Sequence, residues 1–423
     1  MVVTVSPSKL TGTIPAIASK SHAHRLIICA ALSDGPTDIV CGETSEDIEA
    51  TVRCVTALGA SVTRVGGVYR VTPIDRSAVK RGAALDCGES GSTLRFLLPV
   101  VCALGSESEF TAHGRLPRRP LSPLYEELVS HGCTLSAQGS VPFKCSGQLR
   151  SGSYTLSAGV SSQYISGLLF ALPLLEGDST LTLTGKAESK PYIDMTLEAL
   201  GAFGIEIRAT DSGFFIPGRQ RCISPGTVTV EGDWSNAAFW LCAGALGRNG
   251  VIVTGLNTNS SQGDRACLAL LEKFGADIVY LSGGAAVTGG SLHGIELDAS
   301  DTPDLVPIFA LVAAGADGKT VIKNAGRLRI KESDRLKAVC DTLGALGVDI
   351  TETADGLIIE GGSPLHGGVV SSWGDHRIAM TAAIASVLCD GDITITDAQA
   401  VNKSYPDFYT HLRHLGGAVQ EMK

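Results

Sequence analysis

Lysine and arginine are outnumbered in this chain, 34 against 43 aspartates and glutamates for a net charge of −9. They nevertheless gather at four places: Lys20 to Arg25, Arg115 to Arg119, Arg327 to Arg335, and Lys403. A guanidinium presents a planar fork of N–H donors that grips a carboxylate or phosphate through two bonds at once, so such clusters suit small anionic ligands. Carboxylates stand among the cations at Asp304, Glu332 and Asp375. A reaction that shifts protons on an anionic substrate needs a donor and an acceptor, and this mixture of Lys, Glu and Asp can supply both. The negative total argues against a nucleic-acid surface, which requires massed positive charge. No Walker loop and no Gly-x-Gly-x-x-Gly with a following acid is present, so a nucleotide cradle is not indicated. The twelve cysteines, from Cys29 to Cys389, show no CxxC pair and no histidine at metal spacing; they read as reduced core residues, and no metal is expected.

Many of these residues open helices. An amphipathic helix that ends in Gly and runs into a strand occurs six times, with the glycine at 59, 132, 204, 275, 347 and 416, a period of 69 to 73 residues. The glycine suits a left-handed helix end, and β-rich segments such as Ile205 to Ile207 or Val348 to Ile350 are expected to begin strands after it. A second, Ala-rich helix recurs with the same period and is closed by Gly35, Gly105, Gly177, Gly250, Gly318 and Gly391. Its stretches, such as Leu168 to Leu175 and Ala310 to Ala316, are apolar nearly all round, so it belongs in a domain interior with sheets outside. Polar residues mark the starts of these second helices: Ser19-Lys20-Ser21, Gly88 to Ser92, Ser161-Ser162-Gln163, Asp233 to Asn236, Asp301 to Asp304, and Gly374 to Arg377. A buried helix N-terminus offers unpaired N–H groups and positive potential, which attract anions. Three repeats per domain would bring several such starts to one anion-binding cleft.

With 423 residues the chain exceeds a single core, and two domains are expected. No apolar stretch reaches membrane-span length, and Met1 to Leu10 reads as a strand rather than a secretory leader, so a cytoplasmic protein is expected.

Taken in order, the polar motifs resemble those of the 5-enolpyruvylshikimate-3-phosphate synthase family. They are Lys20-Ser21-x-x-x-Arg25, Gly88-x-x-Gly91-Ser92-Thr93-x-Arg95, Arg119-Pro120, Ser161-Ser162-Gln163, Ser189-Lys190-Pro191-Tyr192-Ile193-Asp194, Pro303-Asp304, Arg329-x-Lys331-Glu332-Ser333-Asp334-Arg335, Asp375-His376-Arg377 and Lys403-Ser404-Tyr405-Pro406-Asp407. Each is weak alone; nine in register from Lys20 to Lys403 are specific.

The resemblance implies a two-domain inside-out α/β barrel, each domain three repeats of about 70 residues with buried helices and outer sheets. Domain I would comprise 1–19 plus 232–423, on the phosphoenolpyruvate side, and domain II 20–231, on the shikimate 3-phosphate side. The activity implied is transfer of the enolpyruvyl group of phosphoenolpyruvate to the 5-hydroxyl of shikimate 3-phosphate, through a tetrahedral intermediate, in aromatic amino acid biosynthesis. Shikimate 3-phosphate would meet Lys20, Ser21, Arg25, Ser161, Ser162, Gln163, Ser189, Tyr192, Asp304 and Lys331. Phosphoenolpyruvate would meet Lys20, Gly91, Arg119, Gln163, Arg335, His376, Arg377 and Lys403. The catalytic candidates are Lys20, Asp304, Glu332 and Lys403. No cofactor, metal, nucleic acid or membrane is implied, and a monomer is expected. Gly91 suggests sensitivity to the family's herbicide, glyphosate.

Blander readings exist for single residues: Asp304 and Asp375 as helix caps, Lys331 and Arg335 as a solvated face, Tyr192 as packing. Separate explanations do not account for their common order. Three positions depart from the family's pattern, Glu89, Phe96 and Arg327. The rival functions are the sister enzyme acting on UDP-N-acetylglucosamine, which typically has Lys-Asn where Lys20-Ser21 stands, an RNA 3′-phosphate cyclase using His411 or His414, and a non-catalytic anion-binding scaffold.

Overall fold

A computed structural model describes residues 1–185 and 188–422. Among the described residues twelve α-helices alternate between two kinds. Those with odd numbers are α1 (Lys20–Ala31), α3 (Gly91–Ala103), α5 (Ser162–Ala171), α7 (Trp234–Leu246), α9 (Val306–Ala314) and α11 (His376–Ile384). They are buried almost completely; every residue of α9 is, and every residue of α7 but Leu246. The even-numbered helices are α2 (Glu46–Ala57), α4 (Leu124–Ser130), α6 (Lys190–Ala202), α8 (Cys267–Phe274), α10 (Arg335–Ala345) and α12 (Phe408–His414). These bury one face only, as Ile48, Thr51 and Val55 do in α2, which is the stripe that a 3.6-residue period demands. Eleven cysteines are buried among this packing and Cys340 is half-buried; all are free.

The described strands form six sheets of four. All six obey one rule: a parallel pair, then two antiparallel neighbours. In sequence one repeat runs strand, buried helix, strand, outer helix, hairpin, as in Ala83–Asp86, α3, Ser108–Thr111, α4, Cys133–Leu135 and Phe143–Gly147. After each outer helix the chain turns at the six periodic glycines, whose φ values lie between 75° and 115°. At Gly275 a Cβ would also stand 2.5 Å from the Ser291 carbonyl oxygen, so conformation and space both require glycine there. The expected strand at Ile205 to Ile207 begins later, at Arg208. The Glu206 amide is taken by the Gln220 side chain at 2.7 Å, and the Ile205 amide returns to Leu200.

Two compact units result, Met1–Ile17 with Glu231–Lys423, and Ala18–Val230, each with its own hydrophobic core. The strand before α1, Gly12–Pro15, does not join the sheet of the repeat it precedes. It pairs with Val251–Thr254, while Thr227–Thr229, the strand before α7, pairs with Thr37–Val40. Val2–Ser6 lies between Ile393–Thr396 and Ala418–Met422 and so completes the sixth repeat. Among the described residues no helix is long and apolar enough to cross a membrane.

Candidate active site

In the Ala18–Val230 unit three of the polar motifs stand at helix starts fixed by a side-chain cap. Ser19 accepts from the His22 amide, Ser90 from Thr93, and Ser161 from Gln163, leaving neighbouring first-turn N–H groups for a ligand. Ser189 precedes α6 in a left-handed conformation, φ 54°, and is buried. Lys20 Nζ lies 2.8 Å from the Asp47 carboxylate at the start of α2. Arg25 is buried and turned onto the protein: Nε donates to Thr196 Oγ1 at 2.9 Å, Nη1 to the Ser21 carbonyl at 2.7 Å and Nη2 to the Tyr192 carbonyl at 2.7 Å. Its guanidinium rests 5.0 Å above the Phe96 ring, so the departure at position 96 gives Arg25 a cation–π seat. Burial lowers the Arg25 pKa to about 10.

A second group gathers around Gly91. Arg95 Nη1 donates to Gln163 Oε1 at 2.8 Å and Nη2 to the Pro120 carbonyl at 3.2 Å, and Gln163 Nε2 donates to Ser92 Oγ at 2.9 Å. A Cβ on Gly91 would lie 2.8 Å from Arg95 Nη1 and 2.9 Å from Arg119 Nη1; both guanidinium tips are therefore within reach of whatever the α3 N-terminus binds. Glu89 lies against Gly114. Ser162 and Tyr192 stand in the first turns of α5 and α6.

In the other unit a charge cluster is built on the starts of α9, α10 and α11. Arg335, buried, donates through Nη1 to Asp304 at 2.7 Å, through Nη2 to Glu332 at 2.6 Å, and through Nε and Nη2 to Asp375 at 2.7 and 3.3 Å. Asp375 is fully buried, caps the Arg377 amide at 3.0 Å and accepts from Ser333. Arg377 Nη2 reaches Asp304 at 3.1 Å and Ser235 at 2.9 Å. Lys331 Nζ is 3.9 Å from Asp304, and Arg327 donates to the Ser300 carbonyl. Lys403 Nζ donates to the Gly374 carbonyl at 2.6 Å, just before buried His376.

Burial alone would raise the Asp304 pKa; Arg377, Lys331 and Arg335 together outweigh it and hold the carboxyl well below the usual range. For Arg335 burial is likewise overcome, by Asp375, Glu332 and Asp304, which keep the guanidinium charged. Burial takes Lys331 down to about 8 despite Asp304 and Glu332. Arg335 is thus a fixed cation and Asp304 a fixed anion. Among the described residues no group of three or more His, Cys, Asp or Glu is arranged to hold a metal ion.

The structure brings Lys20, Ser21, Arg25 and Tyr192 together, and Gly91, Arg119 and Gln163 together, in one unit. In the other it gathers Asp304, Lys331, Glu332, Arg335 and Arg377, with His376 next to Asp375, its side chain 3.8 Å away. Sequence reasoning did not single out Asp47, and it held Arg95 and Ser235 only as members of the Gly88–Arg95 motif and the Asp233 to Asn236 helix start. Nothing in spacing links Lys20 to Asp47, whereas Asp375 already stood beside His376 and Arg377.

Six repeats of one strand-and-helix plan thus carry cations and carboxylates at helix starts. The sequence model of the family described as EPSP synthase (3-phosphoshikimate 1-carboxyvinyltransferase) matches residues 5–412. Proteins named 3-phosphoshikimate 1-carboxyvinyltransferase from Clostridium acetobutylicum and Clostridium kluyveri are 44% and 41% identical, and each alignment covers 99% of this chain and 98% of the relative. The solved EPSP synthase of Acinetobacter baumannii superposes with a TM-score of 0.83 at 27% identity, over 99% of this chain and all of that one. The chain belongs to the EPSP synthase family.

Proposed function

We infer that this enzyme transfers the enolpyruvyl group of phosphoenolpyruvate to the 5-hydroxyl of shikimate 3-phosphate and releases phosphate, as a step of aromatic amino acid biosynthesis in the cytoplasm. The observation that carries the reading is the Asp304, Lys331, Glu332, Arg335, Arg377 cluster, standing on the family's own motifs in a chain matched over nearly its whole length.

In the Ala18–Val230 unit the shikimate phosphate takes the helix start and hydroxyls of Ser161, Ser162 and Ser189, with Lys20, Ser21, Arg25, Gln163 and Tyr192 around it. A phosphate dianion is matched by N–H and O–H donors at a helix N-terminus. Lys20, Gly91, Arg119 and Gln163 serve phosphoenolpyruvate. In the other unit Arg335, His376, Arg377 and Lys403 serve phosphoenolpyruvate, and Asp304 and Lys331 serve the shikimate hydroxyls. Fixed guanidinium groups stabilise the charge that develops as phosphate leaves.

Chemically, the 5-hydroxyl oxygen bonds to C2 of phosphoenolpyruvate, its proton is withdrawn, and the methylene carbon gains a proton. Loss of a methyl proton with departure of phosphate then restores the double bond. Asp304, held as a carboxylate, orients the hydroxyl and is the candidate base that takes its proton. Glu332, Lys20 and Lys403 are the candidates to give and reclaim the carbon proton.

The test is phosphate release from phosphoenolpyruvate with shikimate 3-phosphate, in parallel with UDP-N-acetylglucosamine. Turnover with shikimate 3-phosphate alone is expected. Turnover with the nucleotide sugar alone would move the acceptor to the sister enzyme's, and none with either would leave an anion-binding scaffold.

A further inference from the structure

We propose that His24, Thr51 and Thr93 are positioning residues: a one-way chain of hydrogen bonds, running from the α1 imidazole to Ser90, fixes the first turn of α3 against α1 and α2. The functional consequence rests on the reading of Gly91 as part of the phosphoenolpyruvate site, since Gly91 and Ser92 form that turn.

His24, Thr51, Thr93 and Ser90 are all fully buried. His24 Nδ1 lies 2.7 Å from Thr51 Oγ1, and Thr51 Oγ1 lies 2.7 Å from Thr93 Oγ1. The Thr93 hydroxyl donates to Ser90 Oγ at 2.8 Å, and Ser90 Oγ also accepts the Thr93 amide as the cap of α3.

The direction of the chain follows from counting protons. A hydroxyl carries one. Thr93 spends its proton on Ser90 and must accept from Thr51. Thr51 then has none left for His24, so the imidazole donates from Nδ1. The ring is the Nδ1–H tautomer, and Nε2 is a bare lone pair. Nε2 is buried without a hydrogen-bond partner among the described residues, and a buried orphan acceptor is tolerated better than an orphan N–H.

The groups around the ring are Lys20 and Arg25 on its own helix, Thr51 from α2, and Thr93 and Phe96 from α3, the last edge-on at 6.5 Å. Burial first, then Lys20 and Arg25, push the His24 pKa well below 6.5, so the ring stays neutral and the chain keeps its direction. Apolar side chains of similar volume could fill the same space without desolvating three polar groups. The polar chain adds register: each link constrains one helix start relative to the next. Gln163, through Ser92, ties α5 to the same turn.

Thr51→Val removes both central links while keeping the shape; Thr51→Ser restores the hydroxyl, and His24→Asn keeps a donor where Nδ1 stands. Once phosphate release by the wild type is established, Thr51→Val is expected to raise KM for phosphoenolpyruvate about tenfold. Its kcat and its KM for shikimate 3-phosphate stay close to wild type, and the Ser and Asn variants behave like wild type throughout. An unchanged KM for phosphoenolpyruvate in folded Thr51→Val overturns the proposal. Should that variant not fold, nitrogen NMR on the wild type decides. A protonated Nδ1 and bare Nε2, unchanged between about pH 5.5 and 8.5, support the chain; an Nε2–H tautomer or a titrating ring overturns it. If the wild type releases no phosphate, the functional reading fails separately, and the tautomer still decides the chain.

Discussion

A methyl group at position 91 would sit 2.8 Å from an Arg95 nitrogen and 2.9 Å from an Arg119 nitrogen. Both neighbours are the ends of flexible side chains, so they yield rather than the helix, and ligand binding bears the cost. Gly91→Ala is expected to raise KM for phosphoenolpyruvate about tenfold, the equivalent of one lost charge-assisted hydrogen bond, with the melting temperature little changed. The wild type is expected to be inhibited by glyphosate and Gly91→Ala to be less so; a wild type indifferent to millimolar glyphosate would remove that expectation. Lys331 governs pH. Its lowered pKa means that the ammonium loses its proton as pH rises through about 8, rather than near 10.5. The charge beside Asp304 is therefore full in neutral solution and fades above that point, so kcat/KM should fall on the alkaline side with an apparent pKa near 8. Lys331→Arg should carry the limb to higher pH, and an unmoved limb would detach it from Lys331.

Among elements, the helix ends repeat a single solution and are the places where substitution is least forgiving. Gly275→Ala would force a side chain into the left-handed region at φ 96° and against the Ser291 carbonyl oxygen. A loss of about 1–3 kcal/mol is expected, read as a lower denaturant midpoint. Gly66, at φ 57° with open space around it, should accept Asn at a few tenths of that. The same regularity explains what was legible in the sequence. Helix ends, buried helices and the polar residues at their starts recur with one period, and periodic signals survive in a linear reading. What joins distant segments does not: Lys20 with Asp47, His24 with Thr51 and Thr93, and Arg95 with Gln163 meet because helices pack, and no spacing announces them. Asp375 was read as a possible cap and is one, but its hold on Arg335 appears only once α10 lies beside α11. The strand expected at Ile205 failed because a glutamine fifteen residues onward took a ladder amide, a competition that propensity cannot see.

At the scale of the whole molecule, two separate cores imply separable stability. The unit Ala18–Val230 is continuous in sequence and owns all the strands of its three sheets. Expressed alone, it is expected to melt cooperatively by circular dichroism, whereas 231–423 alone, without Val2–Ser6 and Gly12–Pro15, is not; a non-cooperative 18–230 fragment would contradict this. The pairing of Val2–Ser6 between Ile393–Thr396 and Ala418–Met422 also bears on synthesis. Residues 2–6 are translated long before 393–396 and 418–422, the strands between which they lie. The continuous unit can finish folding while the rest is still being made, but the discontinuous one must hold residues 2–6 idle until 418–422 are made, exposed to chaperones and to neighbouring nascent chains. For a slow ribosome or an N-terminal fusion, that waiting strand is where assembly of the molecule is most vulnerable.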